Sequence, residues 1–394
     1  MKPLCSLKVL DMTDGNPYTG SMFADYGAEV LKIEKPDEGD SVRRRGAADA
    51  GEGIYQAFYN RGKKSMTLDI NKEAGQEIIR RLIPQFDMVI VNKKEEDMKA
   101  LGLGFESLKE KNPKLIYGVL TPYGESGPWK DMPDYDLLIN SRSGLQEKTG
   151  FPAKPTKFGF PLGYIYAGWH LSAGMMAAYL SMQKTGEGIK VSVSVWHTLM
   201  SLDDTFAEGL LGMNALPNRI GNGFPTTNPT DTFRCKDGWF SLSIGSDAQW
   251  ISFAQCAGRK DWAEDPRYAH DPARSMENYF GDLDQQLKDY FATITIQEAD
   301  MICREAMVPG GPCNTVMELV HDEQVADREM LLHIQDKKLG DTLQIGKAAK
   351  FSWDGKEDHV IDSAPLLGED TDNYLAGINM GQVEIARLRA DGVI

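Results

Sequence analysis

The sequence predicts an α/β protein, with a large domain built on an open, mostly parallel sheet and a smaller α+β domain after it. In the first 200 residues, short apolar runs recur, each followed by an amphipathic segment long enough for a crossover. Beyond residue 224 the texture changes to closely spaced strand–turn–strand and helical patterns. A chain of 394 residues also exceeds what one ordinary core holds.

LKVLDM (7–12) is an apolar run ended by the turn-rich TDGNP, and PYTGSMFADYGA is amphipathic. AEVLKIEKP then supplies the second strand of a minimal parallel crossover. SMTLDI (65–70), the helix NKEAGQEIIRRLIPQF and DMVIVN (87–92) repeat the pattern, and NPKLIYGVLTPYG (112–124) adds a strand. FPLGYIYAGWHLSAG (160–174) reads as a strand that ends at a glycine, turns and enters a helix, which puts Tyr164 in the turn. TGEGIKVSVSVWHTLM (185–200) reads as turn, strand and helix. After RIGNGFPTTNP (219–229), DTFRCKDGWFSLSIG has strand–turn–strand character around Lys236 to Gly238, and helices follow near 247–257, 275–292 and 296–307. The tail is mainly helical, with spacing that suits packing back onto another element. The expected boundaries are a large domain over 1–224, a small one over 225–330, and a linker with a C-terminal return over 331–394.

Ligands in such sheets sit beyond the carboxyl ends of strands, where TDGNP, EKPDEGD and VNKKEED lie. None of these loops is G-x-G-x-x-G or a Walker A loop, so the sequence gives no support for NAD or ATP. The cysteines Cys5, Cys235, Cys256, Cys303 and Cys313 are scattered, without zinc spacing, so no metal is expected. No signal core or membrane-length apolar run is evident, and a cytoplasmic location is the default.

The formal charge of −15 argues against nucleic acid and anionic membrane as partners. Residues 1–64 hold ten Lys/Arg and ten Asp/Glu, so the whole excess lies further on. Lys32, Lys35, Arg43, Arg44, Arg45, Arg61, Lys63 and Lys64 form a basic cluster that, on an acidic protein, suits a small polyanion such as a nucleotide phosphate.

Along nearly its whole length the chain resembles the family III CoA-transferases, the formyl-CoA and carnitine CoA-transferase group. The resemblance is carried by LKVLDMT, FADYGAEVLKIEKPDEGDSVR, NRGKKSMTLDI, YDLLINSRSG, TGEGIKVSVSV, GNGFPTTNP and the ending PLLGEDTDNYLAGI…IARLRADGVI. It implies a Rossmann-like large domain, a smaller domain, a C-terminal return to the large one, and a dimer whose chains pass through each other as linked rings. It also implies CoA thioesters as substrates with no covalently bound cofactor. Carried over by position, Asp14, Gly15, Asn16, Lys35, Leu68 and Asn92 are the expected CoA contacts, and Gly221 and Gly223 the glycine loop over the acyl site. An arginine used by some members is replaced at Ala100, with Lys99 one place off.

The resemblance also exposes a missing group. Active members carry an aspartate four residues before the glycine matching Gly168, and here that position is Tyr164. The flanking Leu162, Gly163, His170, Leu171 and Gly174 fix the match. In CoA transfer between acids, the carboxylate attacks the donor thioester, forming a mixed anhydride and releasing CoA thiolate. The thiolate then attacks the enzyme's carbonyl, which frees the first acid and leaves an enzyme–CoA thioester for the acceptor to reverse. A phenol has no acyl carbon and cannot take this part. Related racemases need a histidine in place of Tyr135 as well as the aspartate, and both are absent.

The leading expectation is therefore the silent subunit of a heterodimer or heterotetramer, of the kind that activates benzylsuccinate-type acids in anaerobic aromatic degradation, with a homologous partner carrying the aspartate. The alternatives are a homodimer in which Asp134, Asp136 or a bound substrate acid serves as nucleophile, and a non-enzymatic acyl-CoA binding protein. Trp169, Trp196 and the Met-rich AGMMAAYLSMQ suit an apolar acyl pocket but suit plain core better.

Overall fold

A six-stranded parallel sheet organises the chain in a computed structural model that describes residues 2–46, 48–49, 52–202, 219–224, 227–351 and 361–394. Its elements are β1 (Lys8–Asp11), α1 (Tyr18–Asp25), β2 (Glu29–Glu34), α2 (Ile54–Tyr59), β3 (Lys64–Thr67), α3 (Glu73–Leu82), β4 (Met88–Val91), β5 (Ile116–Thr121), α4 (Asp136–Arg142), α5 (Leu162–Thr185), β6 (Lys190–Ser194) and α6 (Val195–Ser201). The strand order is β3-β2-β1-β4-β5-β6, with every pairing parallel. This is the doubly wound order, whose direction reverses between β1 and β4, so a crevice opens beyond the carboxyl ends of those two strands.

The central strands read EVLKIE, MVIV and IYGVLT and are buried on both faces, as a sheet covered by helices on each side requires. The core under the sheet joins Leu10, Leu31, Ile78, Ile79, Val89 and Tyr117 to the C-terminal residues Leu375, Ile385, Leu388 and Ile394. The amide of Asp69 donates to the carbonyl of Val393 at 2.8 Å, which ties the tail to the loop after β3.

The chain divides into two compact units. The first comprises Met1–Ser143, Phe158–Asp203 and Gln324–Ile394, and the second Gly144–Lys157 with the described part of Asp204–Glu323. The boundary expected at 224 is not where the chain divides, because residues 144–157 and 219–224 cluster with the second unit. That unit has a three-stranded antiparallel sheet of β7 (Thr230–Arg234), β8 (Trp239–Ser243) and β9 (Gly310–Pro312). Its core stacks Trp250 on Trp262 at 5.7 Å and Phe233 on Phe291 at 4.6 Å. The stretch expected to be a linker contains the hairpin β10 (Leu331–Asp336) and β11 (Gly340–Ile345), followed by the helices α7 (Thr371–Gly377) and α8 (Gln382–Ala390).

The stretch 160–174 departs from expectation. No strand precedes α5, and Tyr164 lies inside the helix's first turn rather than in a connecting turn. Pro161, at the N-cap, starts the helix, and Gly186 ends it in the left-handed region at φ 76°. Gly163 and Gly168 look like turn residues in the sequence but serve close packing. A Cβ on Gly163 would lie 2.9 Å from Val195 Cγ1, and one on Gly168 2.6 Å from Tyr18 Cβ. Among the described residues, no helix is long and apolar enough to cross a membrane.

Candidate active site

The loops after β1 and β4 meet at the switch point of the sheet. The amide of Asp14 donates to Asn92 Oδ1 at 3.0 Å, and Asn92 Nδ2 donates to the Asp14 carbonyl at 2.7 Å. Asp14 Oδ1 accepts from the Ser41 amide at 2.9 Å, and Asp40 Oδ1 accepts from the Gly15 amide at 3.0 Å. Asn16 is buried beside them, and its Oδ1 has no donor among the described residues. Lys35 follows β2, exposed and 3.9 Å from Glu38, and Leu68 is buried just after β3. The structure thus brings Asp14, Gly15, Asn16 and Asn92 into one cluster, with Lys35 and Leu68 on the neighbouring strand ends. Gly221 and Gly223 lie in the second unit, where the Gly221 amide donates to the Gly150 carbonyl at 3.0 Å and a Cβ on Gly223 would meet the Tyr279 hydroxyl at 2.8 Å.

Half of the basic cluster does not face solvent. Lys32 is 1% exposed and Lys63 3%, and Arg43 and Arg61 are also buried. Asp11 and Lys32 are register partners on β1 and β2, in the doubly covered middle of the sheet, where a charge needs a partner. Lys32 Nζ is 3.3 Å from Asp11 Oδ1 and 2.8 Å from Asp40 Oδ2, and Lys63 Nζ is 3.0 Å from Asp11 Oδ2. Lys32 also donates to the Thr13 carbonyl. Burial pushes the Asp11 carboxyl up, but Lys32 and Lys63 outweigh it and hold the group well below the ordinary carboxylate range. Beside this cluster, Arg43 grips Glu34 in a bidentate pair at 2.6 and 2.7 Å and also meets Glu52. Lys32 supports the loop over residues 13–16 from beneath, Lys63 reaches the Pro17 carbonyl, and Arg61 is held by Asp25 at 2.8 Å, so as direct contacts for an anion Lys32, Arg43, Arg61 and Lys63 are corrected. Lys35, Arg44, Arg45 and Lys64 remain on the surface.

Around position 164 the arrangement is aromatic and acidic. Tyr164 donates its phenolic hydrogen to Asp134, which is exposed. Burial, and then Asp134, push the Tyr164 phenol well above the ordinary tyrosine range, so it stays a neutral donor. Asp136 opens α4 and accepts from Asn140 Nδ2 at 3.2 Å. Its charge reaches the phenols of both Tyr164 and Tyr18. α1 and α5 are in direct contact here, with Thr19 Oγ1 donating to the Gly168 carbonyl at 3.2 Å. Of the candidate acyl-pocket residues, Met175 and Met182 are core, while Trp169 is exposed.

Sequence reasoning missed the tyrosines gathered at this end of the sheet. Tyr18 and Tyr59 pack edge-to-face at 5.0 Å, and Tyr55 stacks on Tyr59 at 5.8 Å. The spacing of Tyr55 and Tyr59 was a usable signal, since residues four apart share one helix face.

Comparison with known proteins bears on the family and the fold. A sequence profile described as CoA-transferase family III matches residues 4–371. The chain is 31% identical, over 84% of its length and 85% of the relative's, to a succinate–glutarate CoA-transferase of Agrobacterium fabrum. It is 29% identical, over 100% of its length and 98% of the relative's, to a succinyl-CoA–D-citramalate CoA-transferase of Chloroflexus aurantiacus. Among solved structures, a CAIB/BAIF family protein from Brucella suis superposes with a TM-score of 0.84 at 30% identity, covering 96% of this chain and 99% of that one.

Proposed function

Because the chain belongs to the family III CoA-transferases, and so moves CoA between acids, we propose that it works as one subunit of such an enzyme beside a homologous chain that carries an aspartate where this one has Tyr164. The assembly is a heterodimer or heterotetramer of interlocked chains in the cytoplasm. CoA passes from a thioester such as succinyl-CoA to an aryl- or alkylsuccinate of the kind met in anaerobic aromatic degradation, with no metal or bound cofactor. Its CoA lies over the switch point, against Asp14, Gly15, Asn16 and Asn92, with Lys35 and Leu68 at the adjoining strand ends.

The phenol at position 164 carries this reading. A group that holds CoA as a thioester must own an acyl carbon, and Tyr164 instead ends in a donor bonded to Asp134. The need for a partner is supported by α5, which is rich in apolar residues and keeps several of them off its buried face. Trp169 and Leu180 on α5, with Tyr135, Leu137 and Leu138 at α4, face outward. An apolar surface of this kind suits a covering chain. Dicarboxylic acids are favoured because the names of two relatives specify succinate or succinyl-CoA.

A second reading is favoured by the same hydrogen bond, which brings the Asp134 carboxylate to the phenol of position 164. In that case a homodimer uses Asp134 as the carboxylate. Native mass spectrometry of the complex from its source, followed by acyl-CoA treatment and mapping of the CoA-thioester peptide, decides between them. The first reading expects a second homologous chain in equal amount, with CoA on its aspartate. A homodimer labelled at Asp134 establishes the second, and a homodimer without label overturns both.

A further inference from the structure

The guanidinium of Arg45 stands among hydrogen-bond donors that have nothing to donate to. Arg43 is spent on Glu34 and Glu52, and Arg44 donates to the Glu38 carbonyl at 2.7 Å. Arg45 is exposed, and among the described residues its side chain makes no hydrogen bond or ion pair. It lies over the loop after β1, where a Cβ on Gly15 would be 3.1 Å from Nη2. The next residue, Gly46, sits beneath the Tyr55 ring, where a Cβ would be 2.9 Å from Cδ2. Tyr55 stacks on Tyr59, and Tyr59 packs on Tyr18. The hydroxyls of these three tyrosines likewise meet no acceptor among the described residues.

A planar fork beside a row of three tyrosines suits a planar anion. Its location says which one. Tyr18 touches Gly168 of α5, one helical turn beyond Tyr164, so the row Arg45–Tyr18–Gly168 runs toward position 164. Electrostatics agrees with the row: the Arg45 charge is felt by the Tyr18 and Tyr59 phenols, and Tyr18 feels Asp136 from the other side. We propose that Arg45 binds the far carboxylate of a dicarboxylic acid, free or as its CoA thioester, and so selects dicarboxylates over monocarboxylates of equal length. The inference rests on the proposed CoA-transferase function and concerns the acid held by this chain beside position 164.

The test compares two non-transferable probes on the intact assembly, the analogues of succinyl-CoA and butyryl-CoA with a methylene in place of sulfur. They share CoA and a four-carbon chain and differ only in a terminal carboxylate or methyl. Calorimetry on the natural protein should show the succinyl analogue binding at least about tenfold tighter, the scale of one charge-assisted pair. Arg45→Gln should bring the ratio to about one by weakening the succinyl analogue alone, and Arg45→Lys should retain part of it. If Arg45→Gln weakens both probes equally, the guanidinium serves the CoA phosphates and the proposal fails. It fails too if the ratio is unchanged, or if the natural protein does not discriminate. Binding of neither probe overturns the proposed function and this inference with it.

Discussion

Tyr164 donates its phenolic hydrogen to the Asp134 carboxylate, so position 164 carries a neutral donor beside an exposed acid. An aspartate side chain is shorter than tyrosine by about a ring, and restoring it would both open room and supply an acyl carbon. The Tyr164→Asp variant, incubated alone with an acyl-CoA, should acquire a CoA adduct that intact-mass measurement detects and hydroxylamine removes. The unaltered chain alone should show none. An adduct on the unaltered chain, lost in Asp134→Asn, would instead identify Asp134 as the carrier.

The same pair fixes a titration. Burial and then Asp134 raise the Tyr164 phenol far above ~10, the ordinary tyrosine value. Ultraviolet difference spectra of the natural protein and Tyr164→Phe should therefore show equal phenolate amplitude through pH 10. A larger amplitude in the natural protein by one tyrosine would mean that the bond to Asp134 is not kept in solution.

The buried charges beneath the loop of residues 13–16 give a pH dependence whose sign follows from Lys63. Burial depresses its pKa despite Asp11, so between that value and the ordinary ~10.4 the unfolded chain binds more protons than the folded one. This contribution to stability therefore grows as pH rises through that window. Asp11 works at the other end, since its lowered carboxyl contributes stability above ~4 that is lost as the solution becomes strongly acidic. Urea midpoints should show Lys63→Met costing about 3 kcal/mol at neutral pH, the scale for breaking a buried ion pair. The variant should also lose the alkaline rise.

The parallel sheet was legible because each strand and crossover helix writes its own period, and LKVLDM, EVLKIE and DMVIVN fall where the strands are. The fate of the charges was harder to read. Lys32 and Lys63 look like surface cations until the strand order places β1, β2 and β3 side by side inside a covered sheet. From that order alone, a lysine in the middle of EVLKIE must be buried with an acid beside it. The start of α5 was misread because Gly163 and Gly168 are local turn signals, whereas their need arises from α1 and α6, which the local sequence does not contain. The pairing of Tyr164 with Asp134, thirty residues apart, had no local signature, although both residues were candidates.

The contact between α1 and α5 sets the position of Tyr18 relative to Tyr164, and it depends on one glycine. A Cβ on Gly168 would lie 2.6 Å from Tyr18 Cβ and 3.1 Å from the Thr19 amide nitrogen, both rigidly held. Gly168→Ala must push the helices apart and strain the Thr19 hydrogen bond to the Gly168 carbonyl, at a cost of about 1–3 kcal/mol. In α7, nothing lies within 4 Å of a Cβ on Gly377, so Gly377→Ala should instead stabilise by about 0.5–1 kcal/mol through backbone entropy. Urea unfolding of the two variants should therefore shift in opposite directions. Because the displaced helix carries Tyr18, Gly168→Ala should also weaken discrimination between the succinyl and butyryl probes. Gly377→Ala should leave that ratio alone. Equal midpoints for the two variants would mean that α1 and α5 are not packed this closely, and that Tyr18 does not join Arg45 to the neighbourhood of Tyr164.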